Sequence, residues 1–286
     1  MDFCQGNKAP ELSLKKFQKI RDLIYEVSAI YFPDNKKYLL ENRLFNRLKS
    51  HKLKSYDDYY YFLKYDPLRS KELKALFDAV TTNETSFFRY PIQIDAFKSI
   101  VFPEIIAHKK KNNQNRLRFW SAGCATGEEP YTLAMIIMEV LKEQIKGWDI
   151  DVLASDISQT ALLSARKGLY NEYSMRNTSQ HYKDKYFIKN GSTFQLDEQV
   201  KKLVTLKYLN LADDKNIKTI REQDVIFCRN VIIYFEDDSK KKVISRFYDS
   251  LRPGGYLFIG HSESLHNITR AFKLIHFKGA LAYKKE

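Results

Sequence analysis

The fold is decided by the stretch Leu117-Arg-Phe-Trp-Ser-Ala-Gly-Cys-Ala-Thr-Gly-Glu-Glu-Pro-Tyr131. Its apolar beginning predicts a strand, its glycines predict a tight turn, and Glu-Glu-Pro-Tyr begins an apolar helix. Gly123, Ala125 and Gly127 are small residues at alternate positions, where a bound ligand would approach the backbone closely. A strand, a turn and a helix in this order form the cofactor-binding edge of many α/β proteins. A nucleotide-like cofactor is therefore predicted here, with a tight turn that binds nothing as the alternative.

Acidic residues near this turn narrow the choice of cofactor. Glu128 and Glu129 would repel a pyrophosphate at the helix start, whereas they suit an amine or a ribose hydroxyl. Asp156 follows the next predicted strand, where an acid accepts hydrogen bonds from ribose hydroxyls or instead caps the following helix. The combination indicates S-adenosylmethionine, a cation that carries a ribose and an amino-acid tail.

The composition is that of a globular protein with room for one large domain or two modest ones. The chain has 286 residues, 44% of them hydrophobic, and a formal net charge of +13. No apolar run reaches the roughly 18 residues needed to cross a membrane, and the first residues lack a signal core. We therefore expect a cytoplasmic protein without membrane insertion. The three cysteines, Cys4, Cys124 and Cys228, are odd in number and widely spaced, so we expect no disulfide framework. No two histidines have the spacing of metal ligands, so we expect no metal site.

Two domains and a connecting segment are expected along the chain. Residues 10–80 have apolar side chains at helical spacing and are predicted to form a small all-α domain. Residues 81–95 are polar and aromatic, and we expect them to cross the cofactor pocket. In residues 96–286 strands alternate with helices, which predicts an α/β domain with a doubly wound, mostly parallel sheet. Its strands are predicted at 117–121, 150–155, 224–228, 256–260 and 280–283, the last of which closes the sheet.

The rhythm of strands and helices breaks at about residues 168–209. This stretch is rich in tyrosine and contains the turn signal Asn190-Gly191, so we expect a small inserted β-subdomain. In the helical region, four cations are predicted to fall on one side of the second helix; these are Lys36, Arg43, Arg47 and Lys54. Such a row is either a solvated basic face or a docking surface for an acidic helix.

Two further motifs lie at predicted carboxyl ends of strands. Cys228-Arg-Asn-Val-Ile-Ile-Tyr-Phe235 lacks the prolines that are usual in methyltransferases acting on exocyclic nitrogens, which argues against that chemistry. Within it, Tyr234 is either a core residue or a donor to a substrate oxygen. Gly260-His-Ser-Glu263 cannot form a hydrolase triad, because adjacent residues do not converge from separate segments.

Together these motifs resemble the chemotaxis receptor methyltransferases, the CheR family of protein-glutamate O-methyltransferases. The resemblance covers nearly the whole chain. It is carried by Thr81-Thr-Asn-Glu-Thr-Ser-Phe-Phe-Arg89, Trp120-Ser-Ala-Gly-Cys-Ala-Thr-Gly-Glu-Glu-Pro-Tyr131, Ala154-Ser-Asp-Ile157, Phe227-Cys-Arg-Asn-Val-Ile-Ile-Tyr-Phe235 and Gly260-His-Ser-Glu263. It implies a class I S-adenosylmethionine-dependent methyltransferase domain behind the helical domain, with S-adenosylhomocysteine as the product.

The resemblance also implies roles for individual residues. Glu128 would bind the amino-acid part of the cofactor and Asp156 its ribose. Arg229 and Tyr234 are the candidates to orient the substrate carboxylate. The remaining cofactor-binding residues would be Asn83, Thr85, Arg89, Gly123, Asn210, Leu211, Asn230 and Val231.

By the same resemblance, the partners would be the acidic, methylatable helices of the cytoplasmic domain of chemoreceptors. The product would be glutamate methyl esters for sensory adaptation, and the protein would be recruited to receptor arrays at the membrane. Some members bind a C-terminal receptor peptide through the β-subdomain, but the short, glycine-poor turn at 190–192 argues against this here. Two alternatives remain: a nucleic-acid methyltransferase that uses the basic helical domain, and a non-catalytic cofactor-binding signalling module.

Overall fold

The chain divides after Thr82 into two units, each described here by itself. A computed structural model describes residues 10–286; Cys4 and the stretch examined for a signal sequence lie outside them. The division falls inside the predicted connecting segment, since residues 81 and 82 group with the helices and residue 83 begins the second unit. None of the helices in residues 10–286 combines the length and the apolar character that crossing a membrane requires.

The first unit is a bundle of helices. Serine hydroxyls cap two of them, because Ser13 accepts from the N–H of Lys16 and Ser55 from that of Asp58. Apolar side chains at helical spacing are fully buried between the helices, among them Phe17, Leu40 and Leu44. This confirms the predicted all-α region. The helices are α1 (Leu14–Ser28), α2 (Lys37–Ser50), α3 (Tyr56–Tyr65) and α4 (Arg69–Val80).

A buried carboxylate joins α2, α3 and α4. Glu72 is only 3% exposed, and Arg47 binds it through two nitrogens at 2.9 and 2.6 Å. Tyr59 donates to it at 2.6 Å and His51 lies 2.5 Å away. Burial alone would raise the pKa of Glu72, but these hydrogen bonds outweigh burial and the pKa lies below its usual value. The half-buried Arg47 is thus held by a buried carboxylate of its own helical bundle.

The predicted four-residue basic face of the second helix is wrong. Lys36 ends a 3₁₀ turn before α2, and Lys54 lies beyond its last residue. Only Arg43 and Arg47 belong to the helix, and both bind groups of their own unit, Arg43 the carbonyl of Val80 and the hydroxyl of Thr82. The helix is shorter than the charge pattern suggested, because basic residues at its two ends continue the spacing without continuing the helix.

The second unit is built on a seven-stranded sheet in the order β6-β2-β1-β7-β8-β10-β9. Strands β6, β2, β1, β7 and β8 pair in parallel, and β10 runs antiparallel to both of its neighbours. This confirms the mostly parallel sheet of an α/β domain. Its strands are β1 (Arg116–Ala122), β2 (Asp149–Asp156), β6 (Val204–Tyr208), β7 (Gln223–Cys228), β8 (Leu251–Ile259), β9 (Phe272–Phe277) and β10 (Ala280–Lys285).

Helices connect the strands and cover the sheet. The longest, α7 and α12, follow β1 and β7 in the chain and connect them to the parallel strands β2 and β8. They are α5 (Pro91–Ala96), α6 (Phe102–Lys111), α7 (Glu128–Leu141), α8 (Gln159–Lys167), α9 (Gln180–Tyr186), α10 (Glu198–Lys202), α11 (Asp214–Ile217) and α12 (Asp237–Ser250).

The inserted β-subdomain is smaller than predicted. It is a three-stranded antiparallel sheet in the order β3-β5-β4, with β3 (Leu169–Asn171), β4 (Phe187–Asn190) and β5 (Thr193–Leu196). Strand β6, which lies inside the predicted range 168–209, belongs to the main sheet instead. The hairpin signal is confirmed, since Asn190 pairs with Thr193 around a two-residue turn in which Gly191 has a φ of 60°.

The far edge of the main sheet also differs from the prediction. Strand β10 does not close the sheet, because β9 pairs with its outer side. Strand β9 has the sequence Phe-Lys-Leu-Ile-His-Phe, and only part of each side chain is covered. Such an edge strand lacks the apolar run by which the central strands were recognised.

Residue 87, in the connecting segment, joins the inserted sheet to the rest of the second unit. The ring of Phe87 packs edge-on against those of Tyr170 and Phe187, at centroid distances of 4.7 and 5.0 Å. Its N–H donates to the carbonyl of Ser174 at 3.0 Å. The small sheet therefore shares its core with this segment.

Candidate cofactor and methyl-transfer site

The turn after β1 is fastened to the end of β2. The N–H groups of Gly123 and Cys124 both donate to the carbonyl of Ser155, at 2.8 and 2.9 Å. Gly123 has a φ of 80°, and a Cβ atom there would lie 2.4 Å from Cγ2 of Val231. Glycine is therefore required both by the backbone and by the space. This close approach brings the β1 turn against the loop that follows β7.

Asp156 ends β2 and holds the same turn. Its Oδ2 accepts from the N–H of Ala125 at 2.8 Å, and its Oδ1 accepts from the N–H of Ser158 at 2.8 Å. Ser158 rather than Asp156 caps α8, because its hydroxyl accepts from the N–H of Ala161. The alternative that Asp156 serves as the helix cap is thus wrong. Its predicted role in binding ribose stays a prediction, consistent with a carboxylate at the carboxyl end of a parallel strand.

Glu128 and Glu129 are neighbours with different surroundings. Hydroxyl groups contact Glu128, which accepts from Thr126 at 2.6 Å and from Ser174 at 3.0 Å. It is only 2% exposed, and burial raises its pKa. Glu129 instead forms an ion pair with Arg229, with 2.7 Å between Oε2 and Nε. Glu129 thus already has a cationic partner, whereas the charged form of Glu128 would be stabilised by a cationic ligand.

Arg229 is buried and is bound by groups of the chain itself. It is 7% exposed, and besides Glu129 it binds the carbonyl of Arg89 at 2.7 Å and the side-chain oxygen of Gln93 at 3.2 Å. The prediction that it orients a substrate carboxylate is not supported by these surroundings. They give it a positioning role, since it ties the connecting segment to the end of β7.

The connecting segment from residue 83 onward passes three parts of the site. Asn83 donates to the hydroxyl of Ser158 at 3.4 Å, beside the end of β2. The N–H of Phe88 donates to the hydroxyl of Thr132 of α7 at 3.1 Å, and the backbone carbonyl of Arg89 accepts a hydrogen bond from Arg229. Phe88 also has a left-handed backbone, with a φ of 52°. Bulky residues adopt this conformation only where surrounding contacts enforce it, which is common in functional sites.

The loop after β7 supplies an unused polar atom. Asn230 has a φ of 61°, and its Oδ1 is buried without a hydrogen-bond partner in the described structure. Tyr234 ends a short 3₁₀ turn in this loop and is 38% exposed. A buried acceptor without a partner is costly, so a ligand donor there would be favourable.

The remaining predicted residues lie near these groups. Leu209 donates its N–H to the carbonyl of Asp156 at 2.9 Å, which places Asn210 and Leu211 directly after the strand neighbouring β2. The carbonyl of Leu211 is held by Arg246 at 2.7 Å. Thr85 lies on the connecting segment, where its backbone carbonyl accepts a hydrogen bond from a guanidinium nitrogen of Arg176 at 3.5 Å.

Sequence reasoning missed the partners that hold this site together. In the sequence Glu129 is a second acid of the turn, and no local pattern links Ser158 to Asn83. Their roles depend on contacts with Arg229 and Asn83, which lie far away in the chain. Within residues 10–286, no group of three His, Cys, Asp or Glu side chains is placed to hold a metal ion.

The residues present fit S-adenosylmethionine. Glu128 offers a carboxylate to an amine, and Asp156 offers one to hydroxyl groups. Oδ1 of Asn230 is an acceptor that has no partner among residues 10–286. Gly123 allows the turn to lie against the side chain of Val231 in the loop after β7. The seven-stranded sheet with its antiparallel β10 and this carboxyl-edge site define a class I S-adenosylmethionine-dependent methyltransferase.

Comparison with known proteins places the chain more narrowly. The family model for the CheR methyltransferase, SAM binding domain, matches residues 83–280, and the one for the CheR methyltransferase, all-alpha domain, matches residues 15–81. The chain therefore belongs to the CheR methyltransferase family. It is an S-adenosylmethionine-dependent methyltransferase of chemotaxis.

Relatives match along most of their length. Chemotaxis protein methyltransferase 2 of Vibrio cholerae is 33% identical, over 94% of this chain and 92% of its own. Chemotaxis protein methyltransferase of Borreliella burgdorferi is 34% identical, over 94% of each chain. Chemotaxis protein methyltransferase 1 of Vibrio cholerae is 36% identical, over 90% of this chain and 91% of its own.

Proposed function

We propose that this protein methylates glutamate side chains of chemoreceptors and forms methyl esters for sensory adaptation. The observation that carries the proposal is the environment of the loop after β7. There the charge of Arg229 is neutralised by Glu129, while the side chain of Tyr234 stays partly exposed and offers a hydroxyl group. A glutamate side chain is ionised at pH 7 and already nucleophilic, so it needs an oriented hydrogen-bond donor rather than a general base.

The proposed mechanism depends on placement. When bound, S-adenosylmethionine supplies a methyl group on a positively charged sulfur, which leaves as the neutral thioether of S-adenosylhomocysteine. Glu128 would bind the amino group of the cofactor, and Asp156 would bind its ribose. Oδ1 of Asn230 would accept a hydrogen bond from a further donor of the cofactor. Tyr234 would donate to one oxygen of the substrate carboxylate and leave the other oxygen free to attack. A free arginine at that position would stabilise the anion and slow its attack, and Arg229 is occupied.

The proposed partners are the helices of the receptor's cytoplasmic domain, and the proposed location is the cytoplasm, at receptor arrays. Lys36 and Lys54 are exposed, so these cations are available to an acidic helix. Arg43 and Arg47 are bound inside their own unit and would contribute less. The short, glycine-poor turn at residues 190–192 continues to argue against binding of a C-terminal receptor peptide.

Docking is tested by charge reversal. Lys36→Glu with Lys54→Glu should reduce receptor methylation several-fold and leave the affinity for S-adenosylhomocysteine unchanged. Lys218→Glu with Lys242→Glu is the matched control, because both are exposed lysines of the second unit and this double reversal changes the net charge by the same amount. Equal loss in the control variant would show that only net charge matters and would contradict the docking proposal.

The reaction is tested by transfer of labelled methyl to membranes that carry chemoreceptors. Base-labile label released as methanol identifies an ester, and Tyr234→Phe should slow single-turnover transfer about tenfold while cofactor affinity is kept. Label that resists base would contradict ester formation. Label in added RNA or DNA would favour the nucleic-acid alternative, and cofactor binding without any transfer would favour the non-catalytic one.

A further inference from the structure

Glu263, the last residue of the motif Gly260-His-Ser-Glu263, is a half-buried carboxylate outside the set of cofactor-binding residues predicted from the sequence. The motif follows β8, and its carboxylate turns back toward the loop after the neighbouring strand β7. Oε2 accepts from the N–H of Asn230 at 3.0 Å and also from that of Gly260, while Oε1 accepts from the N–H of Ile233 at 3.2 Å. One carboxylate thus joins the carboxyl ends of two adjacent parallel strands.

The backbone on both sides is shaped to this contact. A Cβ atom at Gly260 would lie 2.6 Å from Oε2 of Glu263 and 3.0 Å from the backbone nitrogen of Asn230, so only glycine leaves room for the carboxylate. Asn230 is in a left-handed conformation, which turns its N–H toward the same point. Converging backbone N–H groups form a concavity for an anion, and in this protein a side chain of the chain itself fills it.

A cavity of about 490 Å³ borders the motif, and Gly260, His261 and Glu263 are among the residues that line it. Glu263 therefore borders this cavity and is hydrogen-bonded to the loop after β7. Burial raises the pKa of Glu263, and the backbone N–H groups oppose that rise.

We propose that Glu263 is a positioning residue for methyl transfer. It fixes the loop that carries Asn230, Val231 and Tyr234, through the N–H groups of Asn230 and Ile233. It moves no proton and touches no reacting atom. The proposal rests on the proposed function for the identity of the methyl acceptor, whereas the effect on the cofactor pocket is independent of it.

Glu263→Gln and Glu263→Asp in the full chain test this directly. Glutamine keeps the shape, but it replaces one acceptor oxygen with an NH₂ group that would face backbone N–H donors. Leaving such donors without partners predicts a fall of about 10- to 100-fold in kcat and an increase of about tenfold in the Kd for S-adenosylhomocysteine. The KM for the receptor should change little. Aspartate keeps the charge and should restore part of the rate.

Asp197→Asn is the matched control. Asp197 also accepts a backbone N–H, that of Gln199 at 2.6 Å, and it caps α10 away from the loop. It should leave kcat and the cofactor Kd unchanged, whatever it does to thermal stability. A Glu263→Gln variant with wild-type kcat and wild-type Kd would overturn the proposal. So would thermal unfolding of both Glu263 variants at assay temperature, because Glu263 would then be a residue of general stability.

Gly260→Ala perturbs the same contact from the other side, since the new methyl group displaces the carboxylate without removing it. If both residues act through one contact, Gly260→Ala should cost much less in a Glu263→Ala background, which has no carboxylate for the new methyl group to displace, than in the wild type. Full additivity would refute the shared contact. Calorimetry with S-adenosylhomocysteine needs no acceptor. If the wild type methylates no receptor, the proposed function fails while the cofactor Kd still decides the role of Glu263.

Discussion

Replacing Gly123 with alanine should destabilise the turn of the cofactor pocket, and the free-energy cost has a backbone part and a packing part. The φ of 80° at this position costs an alanine about 1–2 kcal/mol, because its Cβ atom meets the following carbonyl oxygen. The same Cβ atom would lie 2.4 Å from Cγ2 of Val231, and overpacking of this kind costs about 1–3 kcal/mol. We therefore expect the free energy of unfolding to fall by about 2–5 kcal/mol and cofactor affinity to fall with it.

A second substitution separates the two contributions. Val231→Ala removes both Cγ atoms, so Gly123→Ala should cost only the backbone part, about 1–2 kcal/mol, in that background. Gly191→Ala is the control, because Gly191 also has a positive φ, 60°, but has no atom within 4 Å of the added Cβ. The four variants are compared by urea unfolding and by calorimetry with S-adenosylhomocysteine. The reasoning fails if Gly123→Ala costs no more than Gly191→Ala, or if Val231→Ala gives no relief.

Three further outcomes follow from the contacts. Asp156→Asn should weaken S-adenosylhomocysteine binding about 10- to 100-fold in calorimetry, because hydrogen bonds to a charged acceptor are lost, and an unchanged Kd would remove Asp156 from the pocket. Glu72→Gln should lower the free energy of urea unfolding by about 3 kcal/mol by leaving Arg47 without its buried partner; a loss below about 1 kcal/mol would contradict this. Burial tends to raise the pKa of Glu139, but hydrogen bonding to Lys185 outweighs burial and lowers this pKa from 4.5 to about 2. The ionised Glu139 therefore stabilises the folded state above pH 4.5, and this contribution is lost as the pH falls toward 2. A stability-against-pH curve for Glu139→Gln should be flatter than that of the wild type in this window, by about 1 kcal/mol or less, and identical curves would exclude the effect.

The elements that the sequence revealed are those whose signal is local. The turn from Gly123 to Gly127 was recognisable because its backbone requires small residues, and both glycines have left-handed φ values. The central strands were recognisable because burial on both faces demands continuous apolar runs. Asp156 was found from its place directly after such a strand.

The elements that escaped prediction depend on distant or partial burial. Strands β6 and β9 lie at opposite edges of the sheet, where partly exposed side chains give no clear pattern. Arg229 was assigned to the substrate because its partner Glu129 stands 100 positions earlier in the chain. Arg47 was assigned to a docking face for the same reason, since nothing near it in sequence indicates the buried Glu72.

The aromatic core that Phe87 shares with the inserted sheet limits how this scaffold can be re-engineered. A graft that exchanged residues 169–196 for the corresponding piece of a relative would also have to recreate the slot between Tyr170 and Phe187. Without these two rings, Phe87 and the connecting segment around it would lose their packing against the inserted sheet. Chimeras designed to change partner choice should therefore exchange the inserted sheet and residues 83–90 as one piece.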